Sequence, residues 1–150
     1  MSLLAVCLTT FAFAVASAMI PVINIEIYLL GAAALAPGAM AVPLVLAASV
    51  GQLIGKVVVY FAATGALKLP GKRLRTALEA MHTTLRDRPR MGSALVFASA
   101  AASVPPFFVV TVAAGAARMS LPAFVLFGFL GRVVRFGVIV ALPHLVKDLL

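Results

Sequence analysis

The stretch PVINIEIY, residues 21–28, interrupts an apolar run with a proline and a carboxylate. Glu26 is the only charged residue ahead of Lys56. Asn24, Glu26 and Tyr28 alternate with isoleucines, a period of two that predicts an extended or unwound segment rather than helix. Pro21 lacks a backbone donor and ends any helix that reaches it. A helix break beside a lone acid separates two architectures, straight rods and hairpins that turn back.

The surroundings fix the solvent. The 150-residue chain is 64% hydrophobic and 11% charged, with a mean hydropathy of +1.19. A soluble domain is about 45–50% apolar, so this composition places the chain in a bilayer. Residues 1–25, 27–55 and 91–117 carry no charge. Each run exceeds the roughly 20 residues that cross about 30 Å of hydrocarbon. The chain is therefore expected to be a polytopic, all-α membrane protein.

The net charge of +8 does not imply nucleic acid, because seven of the twelve basic residues lie within residues 68–90. Short cytoplasmic loops carry such an excess. Within residues 71–89, Leu74, Leu78, Met81 and Leu85 fall at i, i+4, i+7 and i+11, with Lys72, Arg73, Arg75, Glu79, Arg86 and Arg88 on the other faces. This predicts an amphipathic helix on the membrane surface, a place for anionic headgroups. Gly71 and Pro89 punctuate its ends.

That helix divides two similar halves, about residues 1–67 and 91–146 of a single membrane domain. Pro21 precedes Gly31 by ten residues, and Pro105 precedes Gly115 by ten. Pro43 and Pro122, the latter after Ser120 as a candidate N-cap, suit helix starts. GKVVVYF from Gly55 and GRVVRFG from Gly131 follow in the same order. Broken backbone is not tolerated against lipid, so Pro21, Pro105 and Pro106 are expected to mark re-entrant hairpins, with Gly31 and Gly115 as accompanying hinges. A hairpin plus one spanning helix gives each half an odd number of crossings, and the second half is then inverted relative to the first. With residues 68–90 inside, the spanning helices at about 43–66 and 120–143 run inward and outward respectively, and Arg118 also falls inside.

Polar residues cluster on the spanning helices. Ser49, Gln52, Lys56, Tyr60 and Thr64 form one stripe, with Gly51 and Gly55 beside it. Arg132 and Arg135 share a face, with Gly128 and Gly131 allowing close approach. Two central arginines cost roughly 5–7 kcal/mol to insert, against roughly 4–8 returned by the Leu, Ile, Val and Phe residues of that helix. The arginines should face protein, water or an anion rather than lipid. Glu26 is the natural partner for Lys56 or one arginine. One carboxylate against three cations leaves positive charge that an anion would offset.

Pro21 with Glu26 and Gly31, Gly55-x-x-x-x-Tyr60, and the proline pair followed by VAAGAARMSLPAFVLFGFLG resemble the DedA family, also called VTT or SNARE-associated Golgi proteins. The resemblance runs from about residue 17 to 142. It implies two opposed re-entrant hairpins, lipid translocation between leaflets as flippase or scramblase, and undecaprenyl phosphate and phospholipids as substrate classes. It also implies that Glu26 matches the family's intramembrane glutamate, which serves proton coupling. Two positions depart from the family: Lys56 stands where an acidic residue is common, and Ala-Ser-Val-Pro-Pro-Phe-Phe lacks flanking arginines. Arg132 and Arg135 are the candidates to supply that charge from the neighbouring helix.

The site expected for substrate or protons is thus Glu26, Asn24, Gln52, Lys56, Tyr60, Arg118, Arg132 and Arg135, serving an anionic lipid in a bacterial inner membrane. An oligomer is one way to enclose a path. An enzyme is the rival class, but no second carboxylate, nucleophile pattern or paired His or Asp accompanies these residues. Two further rivals are an accessory protein that only organises lipids or partners, and a proton-coupled small-ion transporter. No cofactor or metal is expected: Cys7 is alone, and His82 and His144 lack a ligand cluster. Met19, Met40, Met91 and Met119 suit packing. Ala16-Ser17-Ala18 resembles a signal cleavage site, but no positive n-region precedes it, and the segment is expected to be retained.

Overall fold

The computed structural model describes residues 2–65 and 72–150, with backbone alone for residues 65, 73–75 and 77. Lys68 and Gly71, and the side chains of Arg73, Leu74 and Arg75, lie outside the described residues. Seven α-helices are described: α1 (Leu3–Met19), α2 (Ile25–Leu35), α3 (Ala41–Gly65), α4 (Lys72–Asp87), α5 (Pro89–Ala102), α6 (Phe107–Ala116) and α7 (Leu121–Leu149). A single 3-10 turn, Gly38–Met40, leads into α3. Two helical stretches, Gly38–Thr64 and Leu121–Leu149, are long and apolar enough to cross a bilayer, with mean hydropathies of 1.9 and 2.0.

The other apolar helices are short because the chain breaks where proline was expected to break it. α1 has 17 residues and α2 has 11, while α5 and α6 have 14 and 10. All fall below the roughly 20 residues a span requires. Between α1 and α2 the break is confined to residues 20–24, which corrects the extended reading of residues 24–28. Asn24 is the N-cap of α2, and its Oδ1 accepts from the Glu26 N–H at 2.9 Å. A capped helix start overrides an alternation only five residues long.

The second break is held by side chain and backbone together. Ser103 ends α5 in the left-handed region at φ 58, and the Ser99 hydroxyl donates to the Pro105 carbonyl at 2.6 Å. α6 then ends in a Schellman turn. Met119 N–H donates to Ala114 O and Arg118 N–H to Gly115 O, both at 3.0 Å, with Arg118 at φ 53 where glycine is usual.

One further expectation needs correction. α7 continues past Pro143 to Leu149 instead of ending there, since proline removes only its own N–H bond and leaves later residues free to stay helical. The amphipathic helix expected over residues 71–89 forms as α4, and the described part of its apolar stripe packs on protein. Leu85 is buried, and Leu78 and Met81 pack on the cluster that includes Val96, Val110 and Phe124. α4 spends its apolar face on α5 and α6.

The chain forms two compact units, Met1–Gly55 with Arg132–Leu150, and Lys56–Gly131. In the first unit α1, α2, the early part of α3 and the later part of α7 share a core of Ala14, Ile25, Leu29, Ala33, Val45, Ala48, Phe136 and Val140. Glycine sets the α1–α3 approach. A Cβ at Gly51 would lie 2.6 Å from the Phe11 carbonyl oxygen, and one at Gly55 would lie 2.5 Å from the Ala18 Cβ. The second unit gathers the rest of α3, α4, α5, α6 and the start of α7 around Tyr60, Phe107, Ala113 and Phe124. There a Cβ at Gly131 would lie 2.6 Å from the Ala100 Cβ. Gly31 differs: it sits inside α2 with nothing within 4 Å of its missing Cβ.

This contrast gives a direct test. Gly55→Ala should lower stability by about 1–3 kcal/mol through overpacking. Gly31→Ala should be neutral or raise it by up to about 1 kcal/mol, since alanine is the better helix residue. Thermal unfolding in detergent micelles, followed by circular dichroism, checks both.

Candidate functional site

The first unit holds Glu26, a carboxylate far from the ends of the described chain, whereas Asp148 lies at the last turn of α7. Capping by Asn24 places Glu26 in the first turn of α2, where the positive end of the helix dipole favours a carboxylate. Arg135, on α7, meets it with a two-pronged contact. Its Nε donates to Oε1 and a terminal nitrogen donates to Oε2, the latter at 2.8 Å. Fork-to-fork pairing of this kind is roughly twice as strong as a neutral hydrogen bond. The side chains remain 23% and 31% exposed for Arg135 and Glu26, so the pair is held yet reachable.

Around this pair the polar groups of the unit tie helices together. Gln52 on α3 donates to the Ser17 hydroxyl at 2.5 Å, and Ser17 donates to the Ala14 carbonyl at 2.9 Å. Tyr28 stacks on Phe13 at 4.7 Å between ring centres and shares a hydrogen bond with Thr10 at 3.1 Å. Lys147 donates to the Ala34 carbonyl at 3.1 Å, joining the ends of α7 and α2. Arg132, 7% exposed, lies with its guanidinium carbon 5.5 Å from the Phe136 ring centre. Ser49 is fully buried and its hydroxyl has no hydrogen-bond partner, a cost of about 1–3 kcal/mol.

The second unit carries Lys56, Tyr60 and Arg118. Lys56, 5% exposed, places its ammonium 4.9 Å from the Phe108 ring centre and 5.9 Å from that of Phe107. The negative faces of these rings attract a desolvated cation. Tyr60 is buried beside Phe124 and donates its hydroxyl to the Met119 carbonyl, just past the Schellman turn. Gly115 lets α6 approach the Tyr60 backbone. Arg118 is exposed on the turn itself.

The expected residues therefore divide by task. Of the candidate partners for Glu26, the structure selects Arg135. Lys56 is instead seated on aromatic rings. Asn24 acts as a cap, Gln52 and Tyr60 act as helix ties, and Pro21, Pro105 and Pro106 lie in the two turns. Sequence reasoning missed Ser17, Thr10, Ser99 and the Phe107–Phe108 pair. Thr10 and Ser17 stand seven residues apart on one face of α1, a spacing that could have flagged a polar stripe. Nothing in the sequence distinguishes Ser99 from the other small residues of α5.

Two helices long and apolar enough to cross a bilayer, with shorter apolar helices beside them, suit a membrane protein. The VTT domain matches residues 20–145, and the chain belongs to that family, the DedA/VTT family. No curated protein and no solved structure matches it.

The ion pair makes a quantitative prediction. Glu26→Gln and Arg135→Gln should each destabilise the protein by about 1–3 kcal/mol, less than a fully buried pair because both groups are partly exposed. The double substitution should cost less than the sum by about 1 kcal/mol or more, read from a double-mutant cycle of unfolding in detergent. Tyr60→Phe should cost about 1 kcal/mol through the lost bond to Met119.

Proposed function

We propose that the protein moves an anionic lipid, a polyprenyl phosphate or a phospholipid, between the leaflets of a bacterial inner membrane, with residues 68–90 on the cytoplasmic side. The observation that carries this reading is the Glu26–Arg135 pair, placed at the first turn after a helix break and still partly exposed. A guanidinium fork that fits a carboxylate also fits a phosphate. Protonation of Glu26 removes the charge that holds Arg135 and frees the fork for the headgroup. When the headgroup leaves, Glu26 releases its proton and takes Arg135 back. Lys56 and Arg132, buried cations in a low-dielectric setting, add attraction for the same anion.

The re-entrant, inverted-repeat architecture belongs to this proposal. Its support is the make-up of the units. One joins α1 and α2 to the start of α3 and the end of α7, and the other joins α5 and α6 to the end of α3 and the start of α7. Apart from α4, which belongs to the second unit alone, exchanging the two halves of the sequence turns one description into the other. Each broken pair of helices is too short to cross singly, and a hairpin buried against two spanning helices keeps its open backbone from lipid. Self-association that encloses the path is part of the same reading.

In proteoliposomes the wild-type protein should accelerate leaflet exchange of a fluorescent anionic lipid or polyprenyl phosphate, and Glu26→Gln should abolish it while inserting with unchanged helical content. Equal exchange from wild type, Glu26→Gln and empty vesicles would remove the assignment. Full exchange with neutral residues at Glu26, Lys56, Arg132 and Arg135 would point to an organising role.

A further inference from the structure

A groove of about 610 Å³ runs along the second unit, lined by Pro89, Arg90, Ser93, Ala94 and Phe97 of α5 and closed on its other side by Phe127 and Leu130 of α7. Its volume lies in the range of sites that hold a small organic ligand, about 300–1,000 Å³. Its lining is almost wholly apolar, with Ala94, Phe97, Phe127 and Leu130 along its length, and Arg90 and Ser93, one turn apart beside the first turn of α5, bring polar groups only to its edge. At 1.5 Å per residue the step from Arg90 to Phe97 is roughly 10 Å, about the depth from a headgroup to the upper acyl chain.

We infer that this groove is a binding site for an anionic phospholipid, with the headgroup phosphate on Arg90 and Ser93 and one acyl chain lying on Phe97, Phe127 and Leu130. Charge complementarity selects this occupant. Arg86, Arg88 and Arg90 are exposed around the α4–α5 junction against the single acid Asp87, and they close the segment that carries seven of the chain's twelve basic residues. A juxtamembrane cluster of this kind attracts anionic lipid of the cytoplasmic leaflet. Pro89 at the first position of α5 and the missing side-chain cap at Arg88 leave the first-turn N–H groups of α5 without a capping side chain, adding partial positive charge at the same end. A zwitterionic lipid would gain the apolar contacts and present the same phosphate, but its ammonium is repelled by the arginine cluster, so it gains less at Arg90. The site uses none of the residues assigned to translocation, and it rests on that reading only for the cytoplasmic placement of residues 68–90.

The chain contains no tryptophan, so Phe127→Trp introduces a single fluorophore into the groove. In liposomes of the full-length protein, brominated-chain phosphatidylglycerol should quench this tryptophan with about fivefold higher apparent affinity than brominated-chain phosphatidylcholine, the factor that about 1 kcal/mol from one basic residue implies. Arg90→Gln should abolish the preference, Glu26→Gln should leave it intact, and a tryptophan at Val138 should show no preference. Three results would overturn the proposal: equal quenching by both lipids at Phe127→Trp, a preference that survives Arg90→Gln, or loss of quenching by both lipids as protein density rises, which would assign the groove to a second copy of the chain. If Phe127→Trp fails to insert, Leu130→Trp reads the same groove.

Discussion

A carboxylate and a guanidinium meeting inside an apolar helical unit impose the constraint from which much of the rest follows. An arginine near the centre of a membrane helix costs about 2.5–3.5 kcal/mol by insertion measurements, so Arg135 needs an anion to face. Glu26 can serve only if its helix begins at the right place, and that start is fixed by Asn24, which caps α2 and holds the Glu26 N–H. Pro21 in turn ends the preceding segment and lets the chain turn back. Proline, cap, acid and arginine therefore act in sequence, each positioning the next.

The second unit repeats this geometry with different chemistry. Glu26 is the second residue of α2, and Phe108 is the second residue of α6. Each receives a cation from a long helix, Arg135 from α7 in the first case and Lys56 from α3 in the second. Where one unit offers a carboxylate to its cation, the other offers a pair of aromatic faces. One glutamate, Glu26, against Lys56, Arg132 and Arg135 gives these helices an excess of cationic side chains, which suits a protein whose proposed substrate is anionic. It also explains how this chain keeps a lysine where its family often has an acid: Phe107 and Phe108, beside the proline pair, supply the faces on which that lysine rests.

Much of this was legible in the sequence because it follows from strong local signals. Charge-free runs give the apolar class, prolines give the breaks, and the leucine spacing of residues 74–85 gives α4; the two long helices are marked instead by uninterrupted apolar periodicity that tolerates Lys56, Arg132 and Arg135. The stripe on α3 was visible as a period, and the placement of Ser49, Gln52, Lys56 and Tyr60 on the buried side follows from it. What the sequence did not contain was the choice among equivalent partners. Lys56, Arg132 and Arg135 all suited Glu26, and only tertiary packing selects Arg135. The start of α2 was misread because five alternating residues outweighed a capping asparagine. What the apolar side of α4 meets was not legible for a related reason: an amphipathic helix looks the same whether that side meets lipid or, as for Leu78, Met81 and Leu85, packs on protein.

The central claim is that Arg135 holds Glu26 in the membrane-embedded protein at rest. Solid-state NMR of liposome-reconstituted protein, with carbon-13 at the glutamate carboxyls and nitrogen-15 in the arginine side chains, tests it with little ambiguity, because Glu79 is the only other glutamate and Glu79→Gln silences it. A carbon–nitrogen dipolar contact that survives Glu79→Gln and Arg132→Gln but disappears with Arg135→Gln is the predicted result. Absence of the contact in the otherwise native bilayer sample, or its persistence without Arg135, would contradict the account.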